Sequence, residues 1–415
     1  APDPADRRRW TYADLLADAE RTARALAVRF EPGERVAVWA PNVPEWLLLE
    51  FGAALAGITL VTVNPAFRAV EVAYVLGQSR AAGVFFTEEF RGNPMAETVE
   101  QVRPGCPELR EAIGLSGFAA FLDGADPASS LPDVASTDPV QIQYTSGTTG
   151  FPKGALLHHR GIVNNARFMI DRVGFADGGV WVNPMPLFHT AGCVMAGLGV
   201  LWRHGTHVLV PFFDPALVLE LLEAERGTVF LGVPTMLIAL LDHPNFAERD
   251  LSSVTAALSG GAPVPAELVR RVESSLQCPF SIVFGQTELA PVVTQTSLDD
   301  DADDKAHTVG RPLPQVELKV ADPTTSDVLP IGTQGEICAR GYQAMLGYFD
   351  QPEATAETID PDGWLHTGDL GTMDERGYVR VTGRLKDMII RGGENIYPRE
   401  IEDLLFSHPG VAEAA

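Results

Sequence analysis

The chain has 415 residues, 46% of them hydrophobic and 21% charged, enough for an ample core and, at about 150 residues per unit, for two or three folding units. Its 55 acidic residues outnumber its 31 basic ones, and the net charge of −24 argues against nucleic acid as a main partner, because such binding leans on basic patches. Cys106, Cys193, Cys278 and Cys338 form no C-x-x-C motif and no disulfide framework, so reduced thiols in a cytoplasmic protein are expected. No secretory signal opens at Ala1, and the longest apolar stretch, 46–63, is broken by Glu50, Gly52, Gly57 and Thr59, so no transmembrane segment is expected.

Thr11 opens a helix with Asp14 three residues on, in the manner of a capping box, and Leu15, Leu16, Ala19, Ala23 and Leu26 follow at helical spacing. A short buried strand is predicted at 36–39. Asn42 reads as the cap of a second helix, with Pro44 in its first turn and Trp46, Leu49 and Phe51 supplying bulk. A strand at 58–63, a helix at 70–76 and a strand at 83–87 continue an alternation that predicts an open parallel sheet with helices on both faces. Residues 115–138, rich in Gly, Asp, Pro and Ser, read as a connecting loop. After a strand at 140–144 the alternation resumes. Strands are predicted at 180–183, 206–210, 229–232, 254–258 and 282–284. Helices are predicted at 191–201, 235–242 and 265–276, with another opened by Asp214 and Pro215 and ending near Gly227. The acidic run 299–304 sets Asp299, Asp301 and Asp303 at the first, third and fifth positions of a calcium loop. Asp304 and Gly310 stand where such a loop needs Gly and Glu, so a solvated loop is expected. Beyond about Gly310, short strands at 316–320, 335–339 and 378–381 among Gly, Pro and Asp turns predict a small β-rich unit. A strand at 388–390, a turn at Gly392 and Gly393 and a helix at 398–406 close the chain.

The most informative stretch is 144–154, reading Y-T-S-G-T-T-G-F-P-K-G. Thr145, Ser146, Thr148 and Thr149 offer hydroxyl donors around Gly147 and Gly150, where a glycine-bearing backbone can curl its N–H groups toward one point. Lys153 adds a mobile positive charge. Together these make a phosphate-gripping loop. It is not a Walker A loop, since Gly154 rather than Ser or Thr follows the lysine.

This stretch resembles the signature of the adenylate-forming enzymes: acyl-CoA synthetases, luciferases and the adenylation domains of peptide synthetases. Further stretches match the family in its order along nearly the whole chain. Gly260, Gly261 and Ala262, in S-G-G-A-P, would let a flat ring lie against backbone, and the family places adenine there. Phe284, Gly285, Gln286, Thr287 and Glu288 resemble the family's Tyr-Gly-x-Thr-Glu, with Phe284 in place of the commoner tyrosine. By resemblance Phe284 stacks on adenine, Thr287 binds the α-phosphate, and Glu288 holds Mg²⁺ with Thr145 nearby. Asp369, closing W-L-H-T-G-D, suits the ribose hydroxyls, and Arg384 adds a positive fork beside the same sugar; read alone, each looks like a charged β-turn. His189, in M-P-L-F-H-T-A-G, would lie beside the substrate carboxylate, although a lone histidine is more often structural. Lys386 marks the family's hinge, and Gly392 and Gly393 its pantetheine tunnel.

The resemblance implies a large N-terminal AMP-binding domain over 1–385. It would comprise two doubly wound α/β subdomains, about 1–138 and 139–309, and a small distorted β-barrel at 310–385. A truncated α+β C-terminal domain would start at 386–415. The family's adenylation lysine lies in a P-x-G-K-x-x-K stretch that does not occur before Ala415. The implied reaction activates a carboxylic acid, most like a fatty acid, with ATP and Mg²⁺ to an acyl-adenylate, then passes the acyl group to coenzyme A. A peptide-synthetase adenylation domain, a luciferase-like enzyme and a nucleotide-binding protein without turnover are the alternatives. Expected partners are the acid, ATP and coenzyme A, with a homodimer left open. Leu187, Phe188, Val233 and Met236 read either as the wall of an aliphatic acyl pocket or simply as core.

Overall fold

The first strands of the chain are short apolar runs, as parallel strands covered on both faces must be. Thr59–Val63 and Gly83–Phe86 are buried at every position, and Arg35–Trp39 at all but the first. Side chains alternate across a strand, so Val36 and Val38 enter one core while Ala37 and Trp39 enter another. The computed structural model describes residues 3–145, 152–387, 389–391 and 394–396, together with Ile401 and Leu405. The readings placed on Ser146, Gly147, Thr148, Thr149, Gly150, Gly392 and Gly393 lie outside the described residues.

Among the described residues the first sheet has seven strands. Their order is Gly347–Tyr348, Lys153–His158, Pro139–Thr145, Thr59–Val63, Arg35–Trp39, Gly83–Phe86 and Glu111–Gly114. The last five are parallel, and the first two run antiparallel to their neighbours. This sheet therefore does not close at residue 138, because it takes in the strands on both sides of the phosphate loop and one from much later in the chain. The second sheet also has seven strands, in the order Arg311–Pro312, Val292–Gln295, Phe280–Gly285, Ala256–Gly260, Val229–Leu231, Val180–Asn183 and Thr206–Leu209. Its last five strands are parallel, with two antiparallel strands at the edge.

The two sheets share an inner core. Trp181, Val229 and Leu258 of the second sheet join Val36, Leu60 and Phe85 of the first, together with residues of the helices Tyr12–Ala27, Pro44–Leu55 and His159–Arg172. The outer face of the first sheet is covered by Ala69–Gln78 and Met95–Val102, and that of the second by Pro215–Ala224, Pro234–Leu241 and Ala266–Leu276. The result is five layers, helix–sheet–helix–sheet–helix. A third, four-stranded antiparallel sheet follows in the order Val316–Ala321, Gly335–Gly341, Leu365–Met373 and Val379–Arg384. Ile389–Arg391 and Glu394–Ile396 form a hairpin. No helix among the described residues is long and apolar enough to cross a membrane. All four cysteines are free and buried.

Thr11 caps the first helix in a full capping box with Asp14. Asn42 does not cap the second helix, whose preceding residue Val43 makes no side-chain cap. Instead the buried Asn42 amide donates to the carbonyls of Met185 (3.0 Å) and Val210 (2.9 Å), and its oxygen accepts from the Leu187 N–H (2.8 Å). It thus ties the first sheet's inner helix to the loops after two strands of the second. Asn42→Ala strands these buried backbone groups and is expected to lower unfolding stability by roughly 2–4 kcal/mol. A urea titration with an unshifted midpoint would refute the tie.

The acidic run is solvated at Asp299, Asp301 and Asp303, as expected, but not at Asp300 and Asp304, and it is not all loop. Asp301 caps the helix Ala302–His307. Asp304 is 6% exposed and accepts two hydrogen bonds from Arg376, at 2.8 and 2.6 Å, while Asp300 accepts from the Tyr378 hydroxyl at 2.6 Å. The run therefore clamps the second sheet's edge to the third sheet. Trp364–Asp369 is not a turn either, since Leu365–Met373 is a nine-residue strand. Within 115–138, Phe118–Leu122 forms a short helix whose Phe118 and Phe121 rings pack edge-on against Phe85.

Candidate active site

The central strand of the second sheet, Ala256–Gly260, ends at its carboxyl end in the turn Gly261–Ala262–Pro263, with Gly261 at φ +73°, before the next helix begins. Ligands of open α/β sheets collect at such carboxyl ends of strands. The adjacent strand Phe280–Gly285 ends alongside it. A Cβ on Gly285 would lie 1.9 Å from the Pro291 carbonyl oxygen, so only glycine lets the chain fold back through Gln286–Pro291. Facing these turns, the third sheet presents Asp369 and Arg384, which are cross-strand partners.

Between them lies a cavity of about 790 Å³, lined among others by Gly261, Ala262, Phe284, Gly285, Asp369 and Arg384. Its size suits a nucleoside. Arg270, Arg380 and Arg384 on its walls balance Glu267, Asp369 and Asp387, which locally offsets the chain's acidity. Arg384 Nε donates to Asp369 Oδ1 at 3.0 Å. Burial raises the Asp369 carboxyl above its ordinary value, against the pull of Arg384. Gly260 lies behind this wall. Its Cβ would sit 2.3 Å from the Val283 carbonyl oxygen, so sheet packing alone demands glycine there.

The strand segment that presents Asp369 has its own support, which the sequence did not reveal. Gly368 takes φ +72°, and its N–H donates to Glu336 Oε1 at 2.9 Å. The other Glu336 oxygen meets His366 Nδ1 at 2.7 Å, and the Asp369 N–H donates to Thr367 Oγ1 at 3.1 Å. Glu336, Cys338 and His366 group closely, but hydrogen bonds between the two strands already engage the Glu336 and His366 side chains.

A second cluster forms at the facing ends of the strands Pro139–Thr145 and Lys153–His158 of the first sheet. Thr145 and Lys153 are cross-strand partners at those ends. The Thr145 hydroxyl donates to Glu288 Oε1 at 3.4 Å. Glu288 is 8% exposed, and among the described residues no Lys or Arg pairs with it. A buried carboxylate without an ion pair is costly, and a carboxylate with a hydroxyl beside it is a hard oxygen donor set. These residues fit Mg²⁺, which is held by one or two carboxylates plus substrate phosphates. Tyr348, which the sequence reading passed over, completes the cluster. Its hydroxyl donates to Glu288 Oε1 at 2.8 Å, and Lys153 Nζ lies 4.9 Å from its ring centroid. Only the pairing of Gly347–Tyr348 with Lys153–His158 brings it there. Thr287 is buried, and Gln286 half-buried, in the loop joining this cluster to the cavity.

His189 opens the helical turn Ala191–Leu198. Its Nδ1 accepts from the Ala191 N–H at 3.1 Å, which leaves the proton of the neutral ring on Nε2. His189 is exposed at the surface, yet enough protein surrounds the ring that desolvation lowers its pKa. Leu187 is fully buried in the inner core, whereas Phe188, Val233 and Met236 are half-buried. Lys386 is exposed in the turn after Arg384.

Residues 3–349 match the model of the family described as AMP-binding enzyme. The chain is similar to the putative acyl-CoA synthetase YngI of Bacillus subtilis, 40% identical over 98% of this chain and 79% of that one. It is also similar to the mitochondrial medium-chain acyl-CoA ligase ACSF2 of Bos taurus, 36% identical over 98% of this chain and 71% of that one. Among solved structures, ATP-bound MatB from Rhodopseudomonas palustris superposes with a TM-score of 0.88 at 33% identity, covering 97% of this chain and 79% of that one. A two-sheet α/β fold with a nucleoside-sized cavity at its strand ends thus meets a family of nucleotide-using enzymes. The chain belongs to the AMP-binding enzyme family.

Proposed function

We propose that this enzyme, an acyl-CoA synthetase, activates a medium-chain or longer aliphatic monocarboxylic acid with ATP and transfers the acyl group to coenzyme A. The observation that carries the reading is the meeting of Thr145, Lys153 and Glu288 beside a cavity walled by Gly261, Phe284, Asp369 and Arg384. In the first half-reaction an acid oxygen bonds to the α-phosphorus as the bridging α–β P–O bond breaks and pyrophosphate leaves. In the second, the coenzyme A sulfur attacks the acyl carbon, AMP leaves and the thiol proton goes to solvent. Bound Mg²⁺ would neutralise charge on the phosphate oxygens.

The chain's own residues orient and stabilise. Phe284 and the turn at Gly261 and Ala262 take the adenine. Asp369 and Arg384 take the ribose. Thr287 and the loop 146–150 take the phosphates, and Lys153 balances the charge developing on them. His189 donates from Nε2 to the acid's carboxylate, and the half-buried Phe188, Val233 and Met236 face the acyl chain. Lys386 is the hinge, with Gly392 and Gly393 on the coenzyme A side. The cytoplasm as the site of action is supported by the four free thiols.

Pyrophosphate release measured with an acid panel, with and without coenzyme A, tests the reading. Aliphatic monocarboxylic acids of medium length are expected to be turned over fastest, with coenzyme A consumed in step. Dicarboxylic or amino acids as the best substrates would overturn the acyl assignment. Release that never consumes coenzyme A would move the acceptor to another thiol.

A further inference from the structure

The geometry points to Tyr348 as the positioning residue that holds Lys153 and Glu288 apart and aims each at its own task. This rests on reading Glu288 as the magnesium ligand. Lys153 and Glu288 carry opposite charges on neighbouring elements, yet they form no ion pair; each contacts Tyr348 instead. The phenol hydroxyl and the Thr145 hydroxyl both donate to Oε1 of Glu288, and among the described residues no hydrogen bond reaches Oε2. One carboxylate oxygen is thereby fixed while the other stays free to meet a cation. The ring face meanwhile seats the Lys153 ammonium by cation–π attraction.

Tyr348 is itself held on both sides. The Met345 N–H donates to the Glu288 carbonyl oxygen at 2.9 Å, and the Phe349 N–H to that of Gly154 at 2.8 Å. The Tyr348 N–H donates to Thr355 Oγ1 at 2.8 Å. Its backbone is thus pinned to the two residues' own elements. Without the ring, Lys153 and Glu288 would be free to pair and cancel the charges that phosphate and metal need.

Two variants separate the two contacts. Tyr348→Phe keeps the ring and loses the donor, whereas Tyr348→Leu loses both. Metal affinity is read from the free Mn²⁺ resonance signal with a non-hydrolysable ATP analogue, and from Mg²⁺ titrations of pyrophosphate release. For Tyr348→Phe, half-saturation is expected to rise roughly tenfold, the scale of one hydrogen bond to a charged group. Most of its lost rate should return at saturating metal. For Tyr348→Leu the rate should stay low at saturating metal, because Lys153 is misplaced as well. A Tyr348→Phe titration that superimposes on wild type overturns the proposal. So does a uniform loss in both variants that follows only their melting temperatures. Glu288→Gln is the control for the underlying reading. If it leaves metal binding unchanged, the magnesium assignment fails. If it shifts binding while Tyr348→Phe does not, only the role of Tyr348 fails.

Discussion

Alanine in place of Lys153 is expected to slow pyrophosphate release about a hundredfold or more, the effect of losing roughly 2–4 kcal/mol of transition-state stabilisation. Negative charge shifts onto the leaving pyrophosphate as the α–β bond breaks, and the lysine begins the strand that receives the phosphate loop. In the folded protein its ammonium rests against the face of the Tyr348 ring. Such a contact contributes about 0.5–1 kcal/mol at exposed sites, so the melting temperature should barely move. Lys153→Arg should recover only part of the rate, because a planar fork does not replace a compact ammonium. Unchanged kinetics in Lys153→Ala would remove this residue from the site, and a large drop in melting temperature would make its role structural.

The second large effect concerns stability and pH. Glu50 is 3% exposed on the helix Pro44–Leu55, and its Oε1 accepts from Gln141 Nε2 at 2.7 Å, while Oε2 has no partner. Gln143 Nε2 in turn donates to Gln141 Oε1 (2.8 Å) and approaches Cys193 Sγ (3.2 Å). Burial pushes the Glu50 carboxyl up to about 8, from an ordinary 4.5. Between those two values the folded state holds a proton that the unfolded state has released, so stability falls as pH rises through that window. The full loss is on the order of 5 kcal/mol above it. Glu50→Gln keeps the shape and removes the ionisation. Melting curves from pH 5 to 9 should therefore be flatter for the variant, which should be the more stable protein above pH 8. Parallel curves for the two proteins would mean that Glu50 does not hold its proton in the folded state.

Much of the candidate site could be proposed from the sequence because its groups lie in short runs. The loop 144–154, Gly285–Glu288 and Asp369 carry glycines, hydroxyls and charges within a few residues of one another, and backbone continuity keeps them together in any fold. The Thr11–Asp14 capping box was legible for the same reason, since a contact three residues apart depends only on local geometry. Alternating apolar strands and amphipathic helices likewise sufficed for the α/β class, because each strand must be covered on both faces.

Other assignments depended on partners that no local pattern announces. Asn42 looked like a helix cap, but its partners are 143, 145 and 168 residues away. Asp304 of the acidic run looked solvated until Arg376, 72 residues away, closed on it. Gly260 looked like a ligand contact, although the neighbouring strand explains its missing side chain. Tyr348 carried no signal of its own. A two-residue strand at a sheet edge is too short to show a period, and only its pairing beside Lys153 delivers the phenol to Glu288. The sequence by itself determined the short runs of glycines, hydroxyls and charges that make up the candidate site, because those groups are local. Only the tertiary structure decided which of them meet, because hydrogen bonds across the sheets join residues that the chain keeps far apart.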